Sequence, residues 1–110
     1  MEARMDERSI LDEITRRTLA TFPRTQKIVL FGSRAVGTAG VDSDYDLLVV
    51  VPSELKPARR GARLRLALRG IKASFDLVVV TPEEYRELVT WKSSIVSQAS
   101  RTGRILHEAA

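Results

Sequence analysis

Apolar residues recur every three or four positions near the start of the chain, which is the spacing of one helix face. We therefore predict a helix over residues 5–20, with Ser9 as its N-cap and Asp12 completing an imperfect capping box. Pro23 follows this helix and prevents its continuation. Its apolar positions are Ile10, Leu11, Ile14 and Leu19.

Three short runs of β-branched and aliphatic residues predict buried strands at residues 27–31, 45–51 and 75–80. The runs are nearly continuous rather than alternating, a pattern typical of strands that are covered on both faces. Gly32 follows the first run and Pro52 follows the second, and both residue types interrupt strands. We therefore expect a central sheet of about three strands.

Helical signals fill the intervals between these strands. Residues 34–40 are small and glycine-rich, which predicts a short helix and a loop. Residues 57–71 predict a basic helix with one apolar stripe. This stripe consists of Leu64, Leu68 and Ile71. Thr81 is predicted to cap a further helix, with Glu84 completing a capping box, and another helix is predicted over residues 94–101.

The predicted order is helix, strand, short helix, strand, helix, strand and helices, with a short extension at residues 104–107. No linker-like segment divides the chain, so we predict one domain over residues 1–110. The predicted fold class is α/β (α+β), with a small mixed β-sheet flanked by helices.

Composition excludes several classes of protein. The chain has 110 residues and no cysteine, which rules out disulfides, thiolate metal sites and a cysteine nucleophile. No apolar run reaches the ~18 residues of a membrane span, and the charged start lacks a signal-peptide core. We therefore expect a cytoplasmic protein that has no membrane partner. The net charge of +4 favours acidic partners such as nucleotides.

Gly32 and Ser33 follow the first predicted strand directly. A glycine in this place lets backbone amides approach a ligand closely, and the serine hydroxyl can donate to a phosphate oxygen. A simple turn after a strand is the alternative explanation when the two residues are considered alone.

Asp44 and Asp46 lie at the start of the second predicted strand. Because strand side chains alternate between the two faces of a sheet, both carboxylates point to the same face. Neighbouring carboxylates repel each other unless a cation lies between them, and Mg²⁺ prefers carboxylate and phosphate oxygens. The pair therefore suits a Mg²⁺–nucleotide site, and two solvent-facing acids at a strand end are the alternative.

Asp76 stands near the start of the third apolar run, where a carboxylate is poorly placed for burial without a partner. If it shares one site with Gly32 and the pair Asp44 and Asp46, the first and second strands must be antiparallel. The second and third strands must then be parallel, with the helix at residues 57–71 as the crossover. A single site thus predicts a mixed sheet.

The spacing of these residues resembles a known signature. Gly32-Ser33, ten residues and then Asp44-Tyr45-Asp46 resemble the Gly-Ser-x10-Asp-x-Asp motif of the DNA polymerase β-like nucleotidyltransferase superfamily. Residues 31–37 and 43–49 are similar to its smallest members, the minimal nucleotidyltransferase (MNT) proteins that are encoded beside HEPN-domain proteins.

The resemblance implies roles for individual residues. The carboxylates expected to be catalytic and to bind metal are Asp44, Asp46 and Asp76. Two Mg²⁺ ions, with Mn²⁺ as an alternative, are the implied cofactors, and ATP is the implied substrate. Gly32 and Ser33 are expected to hold the nucleotide phosphates, and Arg34 to neutralise charge on the triphosphate. Many relatives carry a second arginine where this chain has Val36.

The resemblance also implies a partner. MNT proteins transfer AMP from ATP to a tyrosine of a HEPN-domain toxin, so we expect an antitoxin that forms a hetero-oligomer with such a toxin. Two alternatives remain open at this point. One is a nucleotidyltransferase that acts on a small molecule or on RNA, and the other is an antitoxin that neutralises its toxin by binding alone.

The basic helix is a further candidate for binding. Four cations are predicted to share one of its faces, either as a solvated surface or as a contact for RNA phosphates or an acidic protein. They are Lys56, Arg59, Arg60 and Arg63. No aromatic residues interleave with them, so direct nucleic-acid binding is not expected.

Overall fold

The computed structural model describes residues 6–109. Five helices and four strands follow one another in these residues. They are α1 (Glu7–Thr21), β1 (Lys27–Phe31), α2 (Ser33–Val36), β2 (Tyr45–Val50), α3 (Pro57–Ala67), β3 (Phe75–Val80), α4 (Pro82–Leu88), α5 (Ile95–Thr102) and β4 (Arg104–Glu108). Within the described residues no helix is both long and apolar enough to cross a lipid bilayer.

The strands form one mixed sheet in the order β3-β2-β1-β4. β1 and β2 are antiparallel, and β2 and β3 are parallel, as the proposed sharing of one site required. The parallel pair is connected by α3, which supplies the crossover that two parallel strands need. The predicted α/β (α+β) class and mixed sheet are therefore confirmed.

The sheet has four strands rather than about three. The extension predicted at residues 104–107 is β4, which pairs antiparallel with β1 at the edge of the sheet. The sequence carries little signal for it because an edge strand is largely exposed and lacks a continuous apolar run. Gly103 permits its close approach, since a Cβ atom there would stand 2.4 Å from Val29 Cγ1.

The helix α1 begins with Asp6 as its N-cap, not with Ser9. A carboxylate oxygen of Asp6 accepts a hydrogen bond from the backbone N–H of Ser9 at 2.8 Å. Ser9 therefore lies in the first turn, and the predicted capping box with Asp12 is wrong. The predicted start at residue 5 lies outside the described residues.

The two faces of the sheet are covered by different helices. On one face, Tyr45, Leu47 and Val49 of β2 pack in a core that α1 and α3 complete. On the opposite face, residues such as Leu48 and Val50 pack with α4 and α5. Asp46 follows the alternation of the second set, so it points to the α4–α5 face at the beginning of β2.

Arg60 was predicted to lie on an exposed basic face of α3, and this prediction is wrong because Arg60 is buried. Its side chain is only 2% exposed, and its two terminal nitrogens donate to Glu84 Oε1 at 2.7 Å and Oε2 at 3.0 Å. Glu84 also completes the predicted capping box with Thr81, which is confirmed. These bonds hold the pKa of Glu84 at about 2, chiefly through the Arg60 side chain. The pair therefore joins α3 to α4 instead of facing a ligand.

Candidate active site

Gly32 lies against the carboxylate of Asp46. Its backbone has φ 73° and ψ −157°, a conformation that residues with a side chain rarely adopt. A Cβ atom built on Gly32 would stand 2.0 Å from Asp46 Oδ2. Glycine is therefore required here both for the backbone conformation and for the space that the carboxylate occupies.

Ser33 begins the short helix α2 immediately after this glycine. The backbone N–H groups of Ala35 and Val36 close the turn onto the Gly32 carbonyl at 3.0 and 3.3 Å. Gly37, with φ 81°, then ends the helix in the left-handed conformation. The predicted short helix and loop are confirmed, and Ser33 follows directly after the glycine that contacts the Asp46 carboxylate.

Asp46 and Asp76 are direct neighbours in the parallel register of β2 and β3. Their side chains therefore point to the same face of the sheet. Asp44, two residues before Asp46, follows the same alternation but precedes the strand. The structure thus places Asp46 and Asp76 side by side, and Asp44 near enough for its charge to act on Asp46.

The carboxylates influence one another electrostatically. Burial raises the pKa of Asp46 above its ordinary value, and the charges of Asp76 and Asp44 raise it further. Asp46 is partly buried, whereas Asp44 and Asp76 are exposed. A cation bound beside these carboxylates would offset the part of this shift that comes from the charges of Asp76 and Asp44.

The carboxylate oxygens of these residues are the type of donor that Mg²⁺ prefers. In the part of the chain from residue 6 to residue 109, no group of three or more Asp, Glu or His side chains is placed to hold a metal ion. Mg²⁺ in nucleotide sites is commonly held by one or two carboxylates together with substrate phosphates and water. Asp44, Asp46 and Asp76 therefore suit a site that the nucleotide completes.

Arg34 does not face the carboxylates. Its Nε donates to the Ser43 carbonyl at 2.9 Å, and its Cζ lies 4.0 Å from the centre of the Tyr45 ring. Because Tyr45 lies between Asp44 and Asp46 in sequence, its ring points to the opposite face of the sheet. The predicted contact of Arg34 with the triphosphate stays a prediction, and it has to compete with these bonds.

Tyr45 is the residue of this site that the sequence analysis missed. Its ring is 2% exposed and packs against Phe75 with the ring centres 6.0 Å apart. Strand alternation indicates that it points away from the carboxylates, but no sequence signal shows that Arg34 stacks on it. Val36, at the position of the second arginine in many relatives, is 58% exposed.

A groove of about 520 Å³ lies between the end of α3 and the start of β3. Its lining includes Leu68, Ile71 and Phe75, which belong to the core on the α1–α3 face. Asp46 and Asp76 point to the other face, so this groove is not part of the carboxylate site.

The sequence profile of the nucleotidyltransferase domain family matches residues 11–107. The chain belongs to this family. The matched range includes all four strands apart from the last residue of β4, so it contains the whole carboxylate site of this nucleotidyltransferase domain. None of the curated proteins is similar enough to the chain to count as a match.

Solved structures of toxin–antitoxin complexes share the fold of this nucleotidyltransferase domain. A toxin–antitoxin complex with AMP-PNP is 25% identical with a TM-score of 0.67, covering 90% of this chain and 73% of that chain. A MntA–HepT complex is 21% identical with a TM-score of 0.63, covering 94% and 74%. A chain in the complex of a tri-AMPylated Shewanella oneidensis HEPN toxin with MNT antitoxin is 19% identical with a TM-score of 0.62. The match covers 94% of this chain and 74% of that chain. The resemblance is therefore confirmed for the nucleotidyltransferase family, and the fold is one that MNT proteins share.

Proposed function

We propose that this nucleotidyltransferase transfers AMP from ATP in a metal-dependent reaction at Asp44, Asp46 and Asp76. The observation that carries the proposal is the parallel register of Asp46 and Asp76, with Gly32 in contact with the Asp46 carboxylate. The charges of Asp76 and Asp44, which add to the effect of burial in raising the pKa of Asp46, support it because a bound cation would offset them.

The carboxylates and the ATP phosphates together would hold two Mg²⁺ or Mn²⁺ ions, which stabilise the attacking and leaving oxygens of an in-line displacement. The acceptor oxygen forms a bond to the α-phosphorus, the bond to the β-phosphate oxygen breaks, and pyrophosphate leaves. Asp76 lies on β3 at the edge of the sheet and is exposed, so it is the carboxylate best placed to accept the proton of the acceptor hydroxyl.

Gly32 and Ser33 would hold the nucleotide phosphates beside these carboxylates. The absence of a Cβ atom at Gly32 lets the backbone lie directly against Asp46, and Ser33 follows with a hydroxyl that can donate to phosphate. The contact between Gly32 and the Asp46 carboxylate supports a site in which phosphate and metal would be bound side by side.

The acceptor we propose is a tyrosine of a HEPN-domain toxin, which would make the chain an antitoxin within a hetero-oligomer. One structural neighbour is an MNT antitoxin in complex with a tri-AMPylated HEPN toxin. The exposure of Asp44 and Asp76 supports a macromolecular acceptor, because a protein surface can reach both carboxylates. The expected location is the cytoplasm, where ATP is available.

A second candidate is an antitoxin that neutralises its toxin by contact alone. Val36 favours it, because an exposed valine occupies the position where many relatives have a second arginine. The two candidates differ in whether Asp44 and Asp46 are needed for covalent transfer.

The test is the intact mass of the HEPN-domain protein encoded beside this chain, after co-expression with the wild type or with Asp44→Ala/Asp46→Ala. Asp12→Ala serves as the control, because Asp12 is an exposed aspartate of α1. A mass gain of one or more AMP units with the wild type and the control, and none with the double variant, supports transfer. Co-purification without any mass gain supports the contact-only antitoxin instead.

A further inference from the structure

The side chain of Arg34 is held by the loop that precedes Asp44. Its Nε donates to the Ser43 carbonyl at 2.9 Å, and one terminal nitrogen lies 3.3 Å from the Val41 carbonyl and 3.5 Å from that of Gly40. The side chain is only 12% exposed, so most of it is already in contact with protein. An arginine that is free to reach a nucleotide does not show this pattern.

The loop has its own turn, which Arg34 completes. The backbone N–H of Ser43 donates to the Gly40 carbonyl at 3.2 Å, and the backbone N–H of Gly40 donates to Ser43 Oγ at 2.9 Å. Arg34 binds the carbonyl groups of this turn from α2, which ties the turn to the end of β1. Asp44 follows the turn directly.

The guanidinium is also fixed from the side of the sheet. It stacks on the ring of Tyr45, whose burial and contact with Phe75 hold the ring in place. The cation is therefore attached to the backbone just before Asp44 and to the side chain just after it. Its position on the opposite face leaves the carboxylate face free.

We infer that Arg34 is a positioning residue that fixes the backbone of Asp44 and Asp46, rather than a residue that binds the nucleotide. This inference rests on the proposed function for its consequence in the reaction. A delocalised guanidinium is suited to the role, because its planar donors reach several carbonyl groups while its face stacks on an aromatic ring. The ammonium of a lysine cannot do both.

The experiment compares Arg34→Gln and Arg34→Lys with Arg59→Gln in the full chain. Arg59 is exposed near the start of α3, which follows the other end of β2, so its variant makes the same charge change away from the site. Hydrogen–deuterium exchange of residues 38–46 is measured without nucleotide or metal, with β1 amides as the internal reference. Steady-state kinetics then separate KM for ATP, kcat and the half-saturating Mg²⁺ concentration.

We expect exchange in residues 38–46 to become about tenfold faster in both Arg34 variants, since two or more hydrogen bonds to the turn are lost. Exchange in β1 and in Arg59→Gln should match the wild type. The activity lost in Arg34→Gln should be recovered by raising the Mg²⁺ concentration but not by raising the ATP concentration. Arg34→Lys should show the same loss and recovery, because a positive charge alone does not replace the hydrogen bonds of the guanidinium to the turn.

Unchanged exchange combined with a raised KM for ATP, restored in Arg34→Lys, would overturn the inference and identify Arg34 as a phosphate contact. Faster exchange that spreads equally through β1 in both variants would also overturn it, because the residue would then support the whole fold. If the wild type transfers no AMP, the proposed function fails. Selectively faster exchange in residues 38–46 of the Arg34 variants would still support the role of Arg34 in fixing the backbone before Asp44.

Discussion

Asp46 of β2 and Asp76 of β3 stand side by side in a parallel register, with their carboxylates on the same face of the sheet. Strand neighbours of like charge repel each other, so this pairing costs stability unless a cation compensates it. Burial raises the pKa of Asp46, and the charges of Asp76 and Asp44 raise it further. A cation bound beside these carboxylates would relieve the repulsion between them.

Replacing Asp46 with Asn should stabilise the metal-free protein at neutral pH and abolish nucleotidyl transfer. The folded pKa of Asp46 is raised, so its favourable contribution is present below the unfolded pKa and is lost as pH rises through the folded pKa. The gain from Asp46→Asn should therefore be largest at pH 7, at under about 1 kcal/mol after solvent screening, and should vanish only as pH falls below the ordinary aspartate pKa of 3.8. Urea unfolding across this pH range measures it. A variant that is less stable than the wild type at pH 7 would contradict this account.

Replacing Gly32 with Ala should damage both the fold and the site. The new Cβ atom would collide with Asp46 Oδ2 at 2.0 Å, and the backbone of residue 32 would have to keep its φ of 73° with a side chain attached. We expect a loss of about 1–3 kcal/mol in the free energy of unfolding from backbone strain, with further loss from the displaced carboxylate. Gly37→Ala is the matched control, because Gly37 also has positive φ but nothing lies within 4 Å of its added Cβ atom. Thermal melts that show equal losses for both variants would argue against the role of the carboxylate contact.

Replacing Glu84 with Gln should destabilise the protein without touching the carboxylate site. The Arg60 guanidinium would stay buried with no carboxylate partner, while Glu84 itself is 38% exposed in the wild type. We expect the free energy of unfolding to fall by about 2–3 kcal/mol. This is less than the loss for a fully buried ion pair, because Glu84 is partly exposed to solvent.

The same ion pair predicts a pH dependence. The pKa of Glu84 is lowered to about 2, so its stabilising contribution is present above the unfolded pKa and disappears as pH falls through about 2. Unfolding of the wild type and Glu84→Gln should therefore converge in strong acid. A constant difference between them from pH 7 down to pH 2 would show that the ion pair is not the source.

Metal ions should stabilise the protein mainly in the presence of nucleotide. Mg²⁺ in nucleotide sites is commonly held by one or two carboxylates together with substrate phosphates, so we expect the phosphates to complete the coordination at Asp44, Asp46 and Asp76. Mg²⁺ together with a non-hydrolysable ATP analogue, at about ten times the Kd of the analogue, should raise Tm by roughly 4–8 °C. Mg²⁺ alone should raise Tm far less. Differential scanning fluorimetry measures both, with Asp44→Ala/Asp46→Ala as the control. An equal rise with Mg²⁺ alone would indicate a preformed metal site.

Local spacing made much of this fold predictable. The three apolar runs became β1, β2 and β3, and the Thr81 capping box was correct because both features depend on neighbouring residues. The alternation of strand side chains placed Asp44 and Asp46 on one face, and the requirement of a shared site gave the strand directions. The metal-binding and phosphate-binding roles of these residues stay predictions.

What the sequence could not determine depends on contacts between distant segments. β4 has too little apolar pattern to be recognised without its partner β1, and Arg60 is indistinguishable in sequence from the exposed arginines of α3 until Glu84 packs against it. By itself the sequence determined the family, the strands that carry the carboxylates and the glycine beside them. Only the tertiary structure decided that Gly32 touches Asp46, and that Arg34 holds the loop from the opposite face, because side-chain partners are selected by packing and burial rather than by spacing along the chain.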